Sequence, residues 1–417
     1  MTSAATPRRR RWSDGLLGGG VALVALAIWA ACFRFPAVWD ALGIGESTHP
    51  FLDLHGLLAA NDAARAGANP YLPNQLDLYH RPLVYTEWWL ALGAFGLTRA
   101  DTLWLGWVLL GATLLAAVAI VRPRGRCEGM AFLLWLVSPA MLLTVNRANN
   151  DLVIFVVMTA GLAALRRSGS FGHGLAVVAF AVAAVLKYYP LAGLIVLLEA
   201  SRRREIWAGL ALYALVAVLA WPALAPGLAS AARYRPQSEW LYAFGAPVLF
   251  RDFGIRTTVG WLALAMVVSV GAGWSALRPA PAEVGTTPSR EREREFMVGA
   301  ALIVGCFFLG ASYVYKLVFS AWMLPWLWRE EHGTLEGRWR RATGRLLVGV
   351  LWLEGVMALV MNGLSGAHFR RFAEGLLVPT LVVSQLLEWL LMGCLLRFLL
   401  AYALRRGREL CQPDHEC

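Results

Sequence analysis

The stretch AVAAVLKYYPLAGLIVLL, residues 181–198, sets one lysine between two apolar runs and offers no other charge. A lysine at the centre of a bilayer costs about 2.5–3.5 kcal/mol on insertion scales, so Lys187 belongs at an interface or in a polar cavity. The run before it, 171–186, covers about 24 Å at the α-helical rise of about 1.5 Å per residue. The pattern predicts a membrane hairpin that turns at Lys187. Lys316, in GASYVYKLVF, borders an apolar run in the same way. Of the 38 basic residues, these two are the ones that are not arginine.

The rest of the 417-residue chain agrees with a membrane setting. It is 58% hydrophobic and only 16% charged, where a soluble domain carries roughly a quarter charged residues. Apolar runs of spanning length recur from residue 15 to residue 404, which predicts a polytopic helical membrane protein. PRRRRW precedes GLLGGGVALVALAIWAACF (15–33) without a convincing cleavage site, so this run reads as a retained first helix. The net charge of +11 is spread as arginines over short loops, a pattern of orientation signals that excludes nucleic acid as a partner. The six cysteines form no disulfide framework, and the tail CQPDHEC lacks a zinc spacing.

Basic clusters at Arg8 to Arg11, Arg122 to Arg126, Arg166 to Arg167, Arg202 to Arg204, Arg278 to Arg294, Arg329 to Arg345 and Arg405 to Arg408 set the topology. If all are cytoplasmic, spans come in pairs between them. Pairs follow at 128–145 with 150–165, 171–187 with 190–201, 206–222 with 256–277, 296–311 with 314–328, and 345–362 with 376–404. With the first helix and 102–121, the expected count is twelve. PLVYTEWWLALGAFGL (82–97) carries Glu87 and glycines and is read as lying along or dipping into the outer face; the alternative is thirteen spans. The whole chain, 1–417, is expected to be one integral membrane domain. Within it lie a first extracytoplasmic loop at 36–101, a flexible cytoplasmic loop at 278–295 and a cytoplasmic tail at 405–417. No internal repeat is visible.

This topology collects polar groups on the outer side. The two lysines either snorkel to lipid headgroups beside Tyr188, Tyr189, Tyr313 and Tyr315 or meet a ligand. TVNRANNDLVIF brings Arg147, Asn149, Asn150 and Asp151 into a short hairpin, with Asp151 also a candidate helix N-cap. Arg233, Arg235, Arg251, Arg256, His368, Arg370 and Arg371 add outward cations, and a positive face invites an anionic headgroup, phosphate above all. In HPFLDLHGLLAANDAARAGANPYLPNQLDLYHRPLVYTEWW, Asp53 is either the N-cap of a helix over 54–66 or a functional carboxylate. Asp62, Arg65, Asp77, His80, Arg81 and Glu87 are its neighbours or alternatives.

The segments DLHGLLAANDAARAGANPY, NRANNDLVIF and AAVLKYYPLAGLIVLL resemble the glycosyltransferase family 87 (DUF2029) group, over roughly residues 15–330. These are polyprenyl-phosphate-sugar-dependent membrane mannosyltransferases and relatives with the GT-C fold. The resemblance implies a GT-C-like all-α bundle of about twelve transmembrane helices with a large first extracytoplasmic loop bearing short juxtamembrane helices. It implies transfer of a hexose from a polyprenyl-phosphate sugar to an extracytoplasmic glycolipid or glycan hydroxyl, with inversion and without a metal or cofactor. Asp53 matches the family's expected catalytic base. Lys187, Lys316 and Arg147 are then expected to bind the donor phosphate, and His55, Arg81, Asn150 and Tyr188 the substrates. The expected setting is the cell inner membrane, with both termini cytoplasmic and the active site outside. The chain departs from the family in YHRPLVY, where members often show Tyr-Pro-Pro, and in RANND, where they show Gly-Asn. These departures leave sugar and acceptor open. The competing readings are a transporter or flippase for a lipid-linked or anionic solute, which would favour paired charges at mid-membrane, and a non-catalytic scaffold.

Overall fold

The computed structural model describes residues 7–44, 49–167, 170–199, 203–234, 241–251, 257–277, 290–329, 334–363 and 370–411. In chain order the helices are α1 (Pro7–Arg34), α2 (Ala37–Ala41), α3 (Leu52–Arg65), α4 (Ala91–Ala94), α5 (Thr102–Val121), α6 (Arg126–Leu136), α7 (Pro139–Arg147) and α8 (Asp151–Ala164). Then follow α9 (Ser170–Leu186), α10 (Arg203–Tyr234), α11 (Val248–Arg251), α12 (Thr257–Leu277), α13 (Arg290–Leu309), α14 (Leu324–Leu327), α15 (Leu335–Gly363) and α16 (Arg370–Cys411). Single 3₁₀ turns or runs occupy Glu87–Leu90, Arg99–Asp101, Tyr189–Glu199 and Val314–Trp322. Strands β1 (Ala243–Phe244) and β2 (Ser312–Tyr313) form an antiparallel two-residue ladder, Ala243 opposite Tyr313. The architecture is all-α.

Six helices are long and apolar enough to cross a membrane, and the bent pair α6 and α7, which turns by 49°, makes up to seven. The chain is therefore a polytopic membrane protein, and the expected count of twelve is corrected. The discrepancy lies in continuity. A span needs about 20 residues of unbroken α-helix to cross roughly 30 Å of hydrocarbon. The run 150–165 yields a 14-residue helix, and 171–187 a 17-residue one. The runs 190–201 and 314–328 become 3₁₀ segments of 11 and 9 residues, the second followed by the four-residue α14. In the run 296–311, the helix α13 begins with the charged turns REREREF, so its apolar part is short. Hydropathy registers composition alone and passes over these breaks.

The described chain divides into two compact units: Met1–Thr48, Leu114–Leu143 and Ser238–Ala401 form the first, and His49–Thr113, Thr144–Gln237 and Tyr402–Cys417 the second. In the first unit, Trp29 donates to the Leu136 carbonyl at 3.0 Å, and Phe296 stacks on Trp326 with ring centroids 4.1 Å apart. Arg292 is buried and donates to Glu128 at 2.8 Å and to the Pro325 carbonyl at 3.0 Å. Residues 290–295, expected within a flexible loop, are thus the ordered first turns of α13; 278–289 lie outside the described residues. The ladder closes because Gly245 and Gly310 adopt φ of 136° and 135°, and a Cβ on Gly245 would overlap the Gly310 carbonyl.

In the second unit, α3 enters through Phe51, whose φ of 63° lies in the left-handed region. A non-glycine residue there costs roughly 1–2 kcal/mol, which burial of a phenyl ring, worth about 1.5–3 kcal/mol, offsets. The ring is fully buried against Gly106 and meets Trp107 edge-on, while the Phe51 N–H donates to Asn146 at 2.7 Å. Gly106 is small because the ring occupies the place of its side chain. Gly106→Ala is expected to overpack this contact at a cost of about 1–3 kcal/mol, seen as a lower thermal midpoint. A midpoint equal to that of the parent would remove this account of how α3 is set.

Candidate functional site

The polar cluster in the second unit is built by three short segments. The first is the loop that follows α3. Asn61 accepts from the Gly93 N–H at 2.7 Å and donates to the Trp89 carbonyl at 3.1 Å, which ties residues 87–94 to α3. Trp89 in turn donates to the Leu186 carbonyl at 2.9 Å, bringing the end of α9 to the same loop. Asp77, whose side chain has no exposed surface, accepts from the Tyr79 and Arg81 N–H groups and from the Arg81 guanidinium. Its carboxylate stiffens the turn from which Arg81 reaches.

The second segment is the turn between α7 and α8. Ala148 takes a left-handed φ of 43°, and Asn149 Oδ1 accepts the Asp151 N–H at 2.9 Å, which starts α8. The third is the end of α9. Helices α8 and α9 pack as an antiparallel pair, so Asp151 at the start of one meets Lys187 just past the end of the other. Each charge sits at the helix end whose dipole favours it.

Asp53 lies in the first turn of α3 and caps nothing: the N-cap position is Phe51, with no side-chain cap bond. Its carboxylate instead accepts from Asn149 Nδ2 at 2.7 Å, from Arg81 at 3.0 Å and from Arg147 at 3.4 Å. Arg81 also donates to the Leu52 carbonyl at 2.9 Å; burial works against its charge, and the Asp77 and Asp53 carboxylates outweigh it and leave its pKa raised. The Asn149 amide is shared. Its nitrogen serves Asp53 while its oxygen lies 3.3 Å from Lys187 Nζ. One side chain therefore couples the two groups that the family resemblance casts as base and phosphate ligand.

Accessibility separates these cations. The side chains of Arg81 and Arg147 keep 33% and 24% of their surface, and Asp53 keeps 14%. Lys187 keeps 9%, and donates to Asp151 and Asn150 while its ammonium stands 5.0 Å from the Tyr85 ring centroid. Asp151, read as a possible N-cap, has a fully buried carboxylate that also accepts from Tyr189. Its charge is spent on Lys187. Asn150 is buried, and the Tyr188 hydroxyl is buried without a hydrogen bond, close to Gly227. His55, on α3, has a buried Nδ1 without a hydrogen bond. Desolvation lowers its pKa despite the opposing pull of Asp77, so the imidazole is neutral at pH 7.

Lys316 stands elsewhere. It is buried in the 3₁₀ segment Val314–Trp322 of the first unit, with its ammonium 5.4 Å from the Tyr315 ring centroid. Of the further outward cations, Arg235, Arg256 and His368 lie outside the described residues. Sequence reasoning named Asn149 and Asp77 without giving either a role; their signal is local, an Asn before a helix start and an Asp four residues before an Arg. It passed over Glu354 and Glu388 altogether. Among the described residues, no group of three or more His, Cys, Asp or Glu could hold a metal ion. Neither a family model nor a curated protein matches this chain.

Proposed function

We propose that this protein is a membrane glycosyltransferase with a GT-C-like bundle. It would move a hexose, mannose in the relatives it resembles, from a polyprenyl-phosphate donor to an extracytoplasmic hydroxyl on a glycolipid or glycan. The observation that carries the reading is Asp53: a carboxylate with exposed surface, flanked by two partly exposed guanidiniums. The acceptor oxygen attacks the anomeric carbon as the bond to the donor phosphate oxygen breaks. Asp53 takes the acceptor proton, and the lipid phosphate departs with the electron pair. A phosphate leaving group needs cationic stabilisation rather than protonation, and one carboxylate then suffices for inversion. Arg147 and Arg81 are the cations with surface to spare for that phosphate. Lys187, already matched by Asp151, is assigned to holding Asn149 and Asn150 in place. His55, Asn150 and Tyr188 remain substrate-contact candidates on the family resemblance alone, and Lys316, in the first unit, is given no part in this site.

The test is direct. Purified full-length protein is incubated with labelled polyprenyl-phosphate mannose and extracted membrane lipids. Label appearing in a new glycolipid or glycan, with inverted configuration, is the expected result; label confined to the donor refutes the reading. A second reading, transport of a lipid-linked or anionic solute, is favoured by one observation: two buried carboxylates within the spanning helices α15 and α16.

A further inference from the structure

The first unit holds two acidic side chains inside apolar runs. Glu354 lies at the middle of LLVGVLWLEGVMALVMN (346–362) on α15. Glu388 lies in LVVSQLLEWLLMGCLL (381–396) on α16. Their exposures are 3% and 1%. Ionisable groups inside spanning helices are expensive, and those that persist have a partner or a task.

The partners are neutral. Glu354 accepts from the Ser384 hydroxyl at 2.9 Å and from the Tyr242 N–H. The Gly245 N–H and the Gln385 amide approach Glu388, yet neither carboxyl oxygen completes a hydrogen bond. Gln385 uses its nitrogen on the Ala243 carbonyl at 3.1 Å, and its buried oxygen has no donor. Glu354 acts electrostatically on Glu388. No ion pair involves either glutamate among the described residues. The segments around them carry Tyr242, Tyr313, Cys306 and Lys316 as other ionisable side chains, and the exposed Asp40 on α2. Both Glu388 oxygens and the Gln385 side-chain oxygen are thus buried acceptors without a donor, and among the described residues no ion pair reaches them. Two carboxylates cannot both stay ionised and unmatched in such a place.

We propose that Glu354, Glu388 and the side-chain oxygen of Gln385 form a binding site for one exchangeable monovalent cation, a proton or sodium. The site is independent of the glycosyl-transfer reading, since Asp53 and its partners belong to the other unit. Its occupation lowers the charge of the pair from two negatives to one and so stabilises the fold that contains it.

Thermal unfolding of the full chain in detergent, followed by tryptophan fluorescence, tests this. If the ligand is sodium, replacing choline by sodium at constant ionic strength raises the midpoint by about 2–4 °C. If it is a proton, moving from about pH 9 to about pH 6 in choline does so instead. The E354Q/E388Q double variant, which keeps the shape and removes both charges, loses whichever dependence the parent shows. A parent that responds to neither condition, or a double variant that responds as the parent does, overturns the site. Should the double variant fail to accumulate, a hydrophobic carbodiimide on the parent decides. Modification of Glu354 or Glu388 that sodium or alkaline pH suppresses supports the site, and absence of modification overturns it.

Discussion

Asp53→Asn is expected to fold as the parent does and to lose about 100-fold or more of its transfer rate, the usual size of a general-base contribution. The amide keeps the side chain's shape and one accepting oxygen for Asn149, while Arg81 retains its paired contact with Asp77. The fold therefore keeps its contacts and the proton acceptor disappears. The loss should fall on kcat, with donor KM little changed, because the guanidiniums that would hold the phosphate remain. A variant within tenfold of the parent would exclude Asp53 as the base. The parent's own activity in the same assay separates that outcome from failure of the glycosyl-transfer reading itself.

Lys187→Ala is expected to cost about 3–5 kcal/mol of stability, because it strips the partner from a fully buried carboxylate and leaves Asp151 uncompensated. From sequence alone the same variant should fold normally and only use donor less well. The two expectations differ because the sequence cannot reveal that Asp151 reaches the ammonium. Removing both charges in Lys187→Met with Asp151→Asn should recover much of the stability, since a buried pair replaced together leaves no orphan. Unfolding of the single variant indistinguishable from the parent, alongside a raised donor KM, would return Lys187 to the role of phosphate ligand.

The membrane class was legible in composition, and the six long apolar helices overlap runs that hydropathy marks. The number of spans was not. The 3₁₀ run Tyr189–Glu199 begins where Tyr189 is held to Asp151 of α8 and Leu186 to Trp89, contacts between residues far apart in the chain. The same division holds at the site. Lys187 stood out because a lysine between apolar runs is rare, and rarity is a property of sequence, whereas the base role of Asp53 came from the family resemblance. That Asn149 joins Asp53 to Lys187, and that α15 and α16 bring two glutamates together, required the packed chain. Periodicity records which surfaces avoid water, whereas the pairing of one buried polar atom with another depends on how helices distant in sequence come together.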